Sequence, residues 1–172
     1  MTGIRKTLEN LKSQKQTAFI PFIMAGDPDL ESTPQILKTL VHAGADIIEI
    51  GVPFSDPIAD GPTNQQAAER ALANGTSLKK ILAMLSSQEV RQLNVPFILF
   101  SYANPIFKMG LESFAQQAHE AGVAGVLLVV RPGFGMTAGM GFAILAGCFH
   151  GGYLVATRWL AGGFRPRLLL FS

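Results

Sequence analysis

Residues 47–63 have the sequence IIEIGVPFSDPIADGPT, and they decide both the fold and the candidate site. The stretch begins as a short apolar run rich in β-branched residues, which is typical of a strand buried on both faces. It then becomes a loop interrupted by prolines and glycines. The pattern therefore predicts a buried strand that ends near Gly51 and opens into a long loop.

Three carboxylates follow one another along this stretch. Glu49 lies inside the apolar run, where burial of an ionised group is costly and raises the pKa of a carboxyl, as a general acid requires. Asp56 and Asp60 lie on the loop, so acids in different environments meet at one strand end. The residues alone leave another interpretation open, in which Glu49 reaches solvent and the two aspartates only stabilise turns.

Length and composition indicate one globular domain. The chain has 172 residues, of which 48% are hydrophobic, enough for a sizeable core. All twelve acidic residues and ten of the fourteen lysines and arginines lie within residues 1–130, so this part is mildly acidic. Residues 131–172 hold four arginines and no acid, so the net positive charge comes from the tail and does not indicate nucleic-acid binding.

Cysteine usage and the N-terminus predict the compartment. Cys148 is the single cysteine, so neither an intrachain disulfide nor a cysteine metal cluster is expected. The first residues lead into an amphipathic polar segment rather than the apolar core of a secretory signal peptide. We therefore expect a cytoplasmic protein without a bound metal.

Strand and helix patterns alternate along the chain. Apolar runs predict strands over residues 18–24, 46–51, 95–102 and 123–130. Helical spacing predicts helices over residues 3–13, 30–43, 65–73, 78–85 and 111–121, with Gly44 after the second and Thr76 or Ser77 before the fourth. This alternation predicts right-handed crossovers and a parallel sheet.

Two architectures use such a sheet, the open doubly wound fold and the (β/α)8 barrel. The turn after the first strand, AGDP at residues 25–28, is not the G-x-G-x-x-G of dinucleotide-binding folds, so the barrel is favoured. In a barrel the carboxyl ends of the strands form the active face. Glu49, the loop at residues 56–60, Phe22 and Tyr102 would then project to one end.

Residues 48–63 resemble the signature of the tryptophan synthase alpha chain family. FIPFIMAGDP at residues 19–28 and SYANP at residues 101–105 support the resemblance, which extends from about residue 1 to 129. It implies a (β/α)8 TIM barrel of which this sequence holds the first four strands, a truncated half-barrel. Residues 1–129 would form this N-terminal half.

The resemblance also implies a reaction, the cleavage of indole-3-glycerol phosphate to indole and glyceraldehyde 3-phosphate in tryptophan biosynthesis. This is a lyase step that needs no cofactor in this chain. By the family's pattern Glu49 delivers a proton to C3 of the indole ring, and Asp60 binds the ring N–H. Phe22, Phe100 and Tyr102 would form the walls around the indole, although Phe100 could equally be an ordinary core aromatic.

A partner is implied as well. The family associates with a beta chain, which holds pyridoxal phosphate, in an alpha2-beta2 heterotetramer. By resemblance Pro53 and Asp56 would contact that partner. Asp56 could instead serve only to stabilise the turn before Pro57.

The resemblance ends where the sequence becomes VRPGFGM, at residues 130–136. Residues 130–172 form a glycine-rich apolar tail that lacks Asp, Glu, Lys, Asn and Gln, and we expect a change of reading frame near residue 130. A rival interpretation places residues 134–149 in a membrane, but the segment is shorter than the roughly 20 residues needed to span one.

The half-barrel suggests an alternative function. Barrels of this kind commonly bind a substrate phosphate with the loops after strands seven and eight, which this sequence does not contain. The alternative is therefore a non-catalytic remnant of the subunit without a phosphate site. Such a chain would show no measurable turnover and would tend to self-associate through its open strand edges.

Overall fold

The computed structural model describes residues 3–129, which form a four-stranded parallel sheet flanked by helices. The strands follow one another in the order β1-β2-β3-β4, and each neighbouring pair is parallel. The predicted α/β class and parallel sheet are therefore confirmed. The predictions for residues 130–172 lie outside the described residues.

The elements alternate as the sequence predicts, with two additional short helices. In chain order they are α1 (Ile4–Ser13), β1 (Phe22–Met24), α2 (Thr33–His42), β2 (Ile48–Gly51), α3 (Pro62–Ala73), α4 (Leu78–Leu85), α5 (Gln88–Arg91), β3 (Phe97–Tyr102), α6 (Ala103–Met109), α7 (Leu111–Glu120) and β4 (Gly125–Val129).

The strand register divides the sheet into two faces, because partners in neighbouring parallel strands point to the same side and successive residues alternate. One face, here called the inner face, consists of three registered rows. They are Phe22, Glu49, Ile98 and Gly125; then Met24, Gly51, Phe100 and Leu127; and finally Tyr102 and Val129.

The main hydrophobic core lies on the opposite, outer face. Ile48, Ile50 and Leu99 are fully buried there against the apolar sides of the helices. The helices contribute Leu37 of α2, Ile81, Leu82 and Leu85 of α4, and Phe114 of α7 to the same core. A smaller cluster joins alanines of α3 to Met24 and Phe22, so α3 packs at the end of β1 next to the inner face.

The first strand is shorter than the predicted 18–24. The N–H of Phe19 donates to the carboxylate of Asp46 at 2.8 Å instead of to a neighbouring strand. Pro21 has no N–H to donate, although its carbonyl oxygen accepts the N–H of Glu49 at 2.9 Å. The pairing thus begins before Phe22, but the regular ladder begins only there.

The two additional helices differ from the prediction for local reasons. We expected Ala103, Asn104 and Pro105 to end a strand in a turn, yet they form the first turn of α6. A proline is tolerated there because the first N–H groups of a helix have no partner within it. Helix α5 has four residues, too few for helical periodicity to indicate it, and the Ser87 hydroxyl accepts the N–H of Val90 at its start.

Candidate active site

Glu49 lies on the inner face, in the row that also contains Phe22 and Ile98. Strand β2 places it there because Ile48 and Ile50, on either side of it, are fully buried in the core behind the sheet. The Glu49 side chain is half-buried, and burial raises the pKa of its carboxyl above the ordinary value. This is the direction that a carboxylate within an apolar strand predicts.

The Phe22 ring lies over Gly51. A Cβ atom at Gly51 would come within 2.6 Å of Cζ of Phe22, so the ring occupies the space that any other residue would fill. The ring also contacts Phe100 edge to face, with the ring centroids 5.8 Å apart. Phe22, beside Glu49, and Phe100, one row further on, therefore form one aromatic wall on the inner face.

The loop between β2 and α3 is attached to the sheet by Tyr102. The Tyr102 hydroxyl donates a hydrogen bond to Oδ2 of Asp60 at 2.9 Å and accepts one from the N–H of Ala59 at 3.0 Å. The ring of Phe54, at the start of the loop, packs on the Tyr102 ring with the centroids 5.0 Å apart. The loop is thus fixed at both ends to one residue of β3.

The register shows that Glu49 and Asp60 belong to the same side of the sheet. Glu49 pairs with Ile98, and Ile98, Phe100 and Tyr102 alternate along the same face of β3 toward its carboxyl end. Because Tyr102 binds Asp60, that carboxylate is held over the end of the face on which Glu49 lies. The structure thus brings five predicted site residues to one face of the sheet.

The two residues predicted to contact a partner, Pro53 and Asp56, differ in their exposure. Asp56 is exposed, and so is Ile58, at 58%. Pro53 is buried and lines a groove of about 640 Å³ between the loop, α4 and α6. Neither Pro53 nor Asp56 contributes to the inner-face constellation.

An ion pair fixes the helix that follows the loop. The Arg70 guanidinium on α3 donates to both carboxylate oxygens of Asp27, at 2.7 and 2.8 Å. These hydrogen bonds hold the pKa of the Asp27 carboxyl below its ordinary value. The pair joins the turn after β1 to α3, the two chain segments on either side of Glu49.

Sequence reasoning missed several residues that shape the site. The Gln65 amide donates to the carbonyl oxygen of Asp60 at 2.8 Å, and nothing in the pattern of α3 indicates this contact. Phe54 and Gly51 both lie within residues 47–63, but their roles depend on Tyr102 and Phe22, which are distant in the chain.

Neither a candidate metal site nor a candidate membrane-spanning helix is present within residues 3–129. That part of the chain contains no group of three or more His, Cys, Asp or Glu side chains arranged to hold a metal ion. None of its helices combines the length and the apolar character needed to cross a membrane.

Comparison with known proteins gives the same family throughout. The family model described as tryptophan synthase alpha chain matches residues 8–134. The tryptophan synthase alpha chain of Dechloromonas aromatica is 52% identical over 132 residues, covering 77% of this chain and 49% of the relative. That of Picosynechococcus is 54% identical over 133 residues, covering 77% and 50%.

A solved structure agrees with the sequence relatives. The crystal structure of tryptophan synthase subunit alpha from Legionella pneumophila superposes with a TM-score of 0.72 at 46% identity, covering 77% of this chain and 50% of that one. The chain spans about half the length of the curated relatives it matches. The four parallel strands correspond to part of a (β/α)8 barrel. The chain therefore belongs to the tryptophan synthase alpha chain family.

Proposed function

We propose that this chain acts in the reaction of its family, the lyase step that releases indole and glyceraldehyde 3-phosphate from indole-3-glycerol phosphate in tryptophan biosynthesis. One observation supports this above the others. Two carboxylates in different environments, Glu49 among apolar residues and Asp60 on the Tyr102 hydroxyl, belong to the same face of the sheet.

Glu49 would serve as the proton donor. Since burial raises its pKa, the carboxyl keeps its proton to a higher pH than an exposed glutamate would. The proton would go to C3 of the indole ring as the bond from C3 to the glycerol carbon breaks. The hydroxyl on that carbon loses a proton and becomes the aldehyde. The net reaction therefore moves one proton from that hydroxyl to C3 of indole, and it consumes neither water nor an oxidant.

Asp60 would bind the ring nitrogen. When C3 of indole is protonated, positive charge develops on the ring, and a fixed carboxylate at the N–H stabilises that charge. Phe22, Phe100 and Tyr102 occupy successive rows of the inner face, from the row of Glu49 to the residue that binds Asp60, where they would flank a flat apolar ring.

The partner in this proposal is a tryptophan synthase beta chain, in an alpha2-beta2 heterotetramer located in the cytoplasm. Pyridoxal phosphate would be bound by the beta chain, and this chain would need no cofactor of its own. The exposed carboxylate of Asp56 and the groove beside Pro53 form the surface on which that chain would dock.

Turnover tests the catalytic part of the proposal. The purified 172-residue chain is assayed for indole release from indole-3-glycerol phosphate, with and without a beta chain. Release above that of a Glu49→Gln variant supports the lyase function. Release no greater than that of the variant, with beta chain present, would favour the alternative, a non-catalytic chain of the same descent.

Indole binding tests the inner-face site independently of turnover. Phe22→Ala removes an inner-face aromatic, whereas Phe107→Ala removes one that is 48% exposed on α6 and is not part of the inner face. We expect saturation-transfer NMR to detect indole bound to the parent chain and to Phe107→Ala, but much less to Phe22→Ala. Equal binding by both variants would place the indole elsewhere.

A further inference from the structure

The Tyr102 hydroxyl is the group to which the Asp60 carboxylate is bound. Its oxygen lies 2.9 Å from Oδ2 of Asp60 and 3.0 Å from the backbone nitrogen of Ala59. A backbone N–H can only donate, so the hydroxyl oxygen must accept from Ala59. The hydroxyl proton is then free to point at Asp60, which is an acceptor when ionised.

These two contacts form a continuous chain of hydrogen bonds, from the Ala59 N–H through the Tyr102 O–H to the Asp60 carboxylate. Each hydrogen bond in such a chain polarises the next, so the hydroxyl is a stronger donor than an isolated phenol. Hydrogen bonds to an ionised acceptor are also shorter and stronger than neutral ones. The carboxylate is therefore held at one oxygen in a defined orientation.

The position of the hydroxyl is set by the sheet and by the start of the loop, and does not depend on Asp60. Tyr102 is the last residue of β3, is only 8% exposed, and its ring is packed by Phe54. The backbone of Asp60 has a separate anchor, because the Gln65 amide donates to its carbonyl oxygen at 2.8 Å. Loss of the Tyr102 hydroxyl would thus release the carboxylate while the loop backbone keeps an attachment.

We propose that Tyr102 is a positioning residue for Asp60: its hydroxyl holds Oδ2 and leaves Oδ1 as the acceptor for a donor on the ligand. Within residues 3–129 Tyr102 is the hydrogen-bond partner of the carboxylate, and Oδ1 has none. The nature of the ligand donor, a ring N–H, rests on the proposed function. The hydrogen bond from the Tyr102 hydroxyl to Asp60, here called the bridge, does not depend on that function.

The bridge has a spectroscopic signature that needs no substrate. The chain has two tyrosines, Tyr102 and Tyr153, so a Tyr153→Phe background leaves one phenol to titrate by tyrosinate absorbance. Burial, followed by the hydrogen bond to Asp60, raises the pKa of Tyr102 above its ordinary value, while the Ala59 N–H acts in the opposite direction. We expect Asp60→Asn to lower the pKa of Tyr102 toward that value.

Asp56→Asn is the matched control for this titration. It removes a carboxylate from the same loop that acts on Tyr102 through its charge, without a hydrogen bond. We expect a smaller fall in the pKa of Tyr102 than in Asp60→Asn, with far-UV circular dichroism confirming that each variant stays folded over the titration. Equal shifts in the two variants would overturn the bridge.

Ligand discrimination tests the consequence for Asp60. The affinities of indole and 1-methylindole, which lacks the N–H donor, are compared in the parent chain, in Tyr102→Phe and in Asp60→Asn. We expect a preference for indole of about ten-fold in the parent, the effect of one hydrogen bond to a charged group, and its loss in both variants. Tyr102→Phe keeps the ring and its packing on Phe54, so a parent-like preference in this variant would refute the positioning role.

The two experiments separate failure of this inference from failure of the proposed function. If the titration shows the bridge but neither the parent nor the variants prefer indole to 1-methylindole, the proposed ligand is wrong and the hydrogen bond to Asp60 stands. If the preference for indole survives in Tyr102→Phe but not in Asp60→Asn, the ligand is right and Tyr102 does not position Asp60.

Discussion

Gly51→Ala tests whether the Phe22 ring of the aromatic wall needs a glycine at position 51. The added Cβ would lie 2.6 Å from Cζ of Phe22, 3.0 Å from Cε2 of the same ring and 3.2 Å from the carbonyl oxygen of Ile23. Carbon atoms in ordinary contact are about 3.5–4.0 Å apart, so the ring must move by about 1 Å. The carbonyl belongs to the neighbouring strand and cannot retreat without loosening the sheet.

The expected loss of stability follows from two opposing effects. Overpacking of this kind costs about 1–3 kcal/mol. Replacing glycine by alanine restricts the unfolded chain, which returns about 0.4–1 kcal/mol. We therefore expect the free energy of unfolding to fall by about 1–2 kcal/mol, measured by urea denaturation of the full chain with far-UV circular dichroism.

A double-mutant cycle isolates the contact with Phe22. Leucine has no atom equivalent to Cζ or Cε2, so Gly51→Ala should cost much less in a Phe22→Leu background. Gly125→Ala is the control on the same face, because its Cβ would meet only the flexible end of Ile4, at 3.1 Å, and the side chain of Ile98. The reasoning is refuted if Gly51→Ala is equally costly with phenylalanine and leucine at position 22.

Three further predictions concern stability, each measured by urea denaturation. Burial raises the pKa of the Glu49 carboxyl above its ordinary 4.5. The stability that the protonated carboxyl gives the folded chain is therefore lost as the pH rises from about 4.5 to the raised pKa. Glu49→Gln should therefore be more stable than the parent at pH 7, with the difference vanishing below about pH 4; a variant less stable at pH 7 would contradict this. For Asp27 the sign is opposite, because Arg70 lowers its pKa below the ordinary 3.8: Asp27→Asn should be less stable at pH 7 and should converge with the parent as the pH falls through the lowered pKa. A difference independent of pH would exclude the ion pair as its cause. Phe114→Ala removes a ring that is 1% exposed and should cost about 3–5 kcal/mol, whereas Phe107→Ala should change stability by less than about 0.5 kcal/mol; similar losses in both would mean that α7 does not cover the core.

Local patterns in the sequence were enough to place the sheet. The apolar run ending at Gly51 and the alternation of strands with helices predicted four parallel strands, because hydrophobic periodicity and turn residues act over a few neighbours. The same reasoning put Glu49 within a strand. It did not predict α5 or α6. It also began the first strand before Pro21, where the N–H of Phe19 donates to the side chain of Asp46 and not to a neighbouring strand.

The sequence by itself thus determined the fold class and the family, since these depend on residues that lie close together in the chain. Only the tertiary structure decided how the site is assembled. Tyr102 and Asp60 are 42 positions apart. Phe22, Gly51 and Phe100 lie on three different strands, and the Phe22 ring contacts the other two residues. Contacts between distant segments are set by strand register and by the space between packed side chains, which no local pattern encodes.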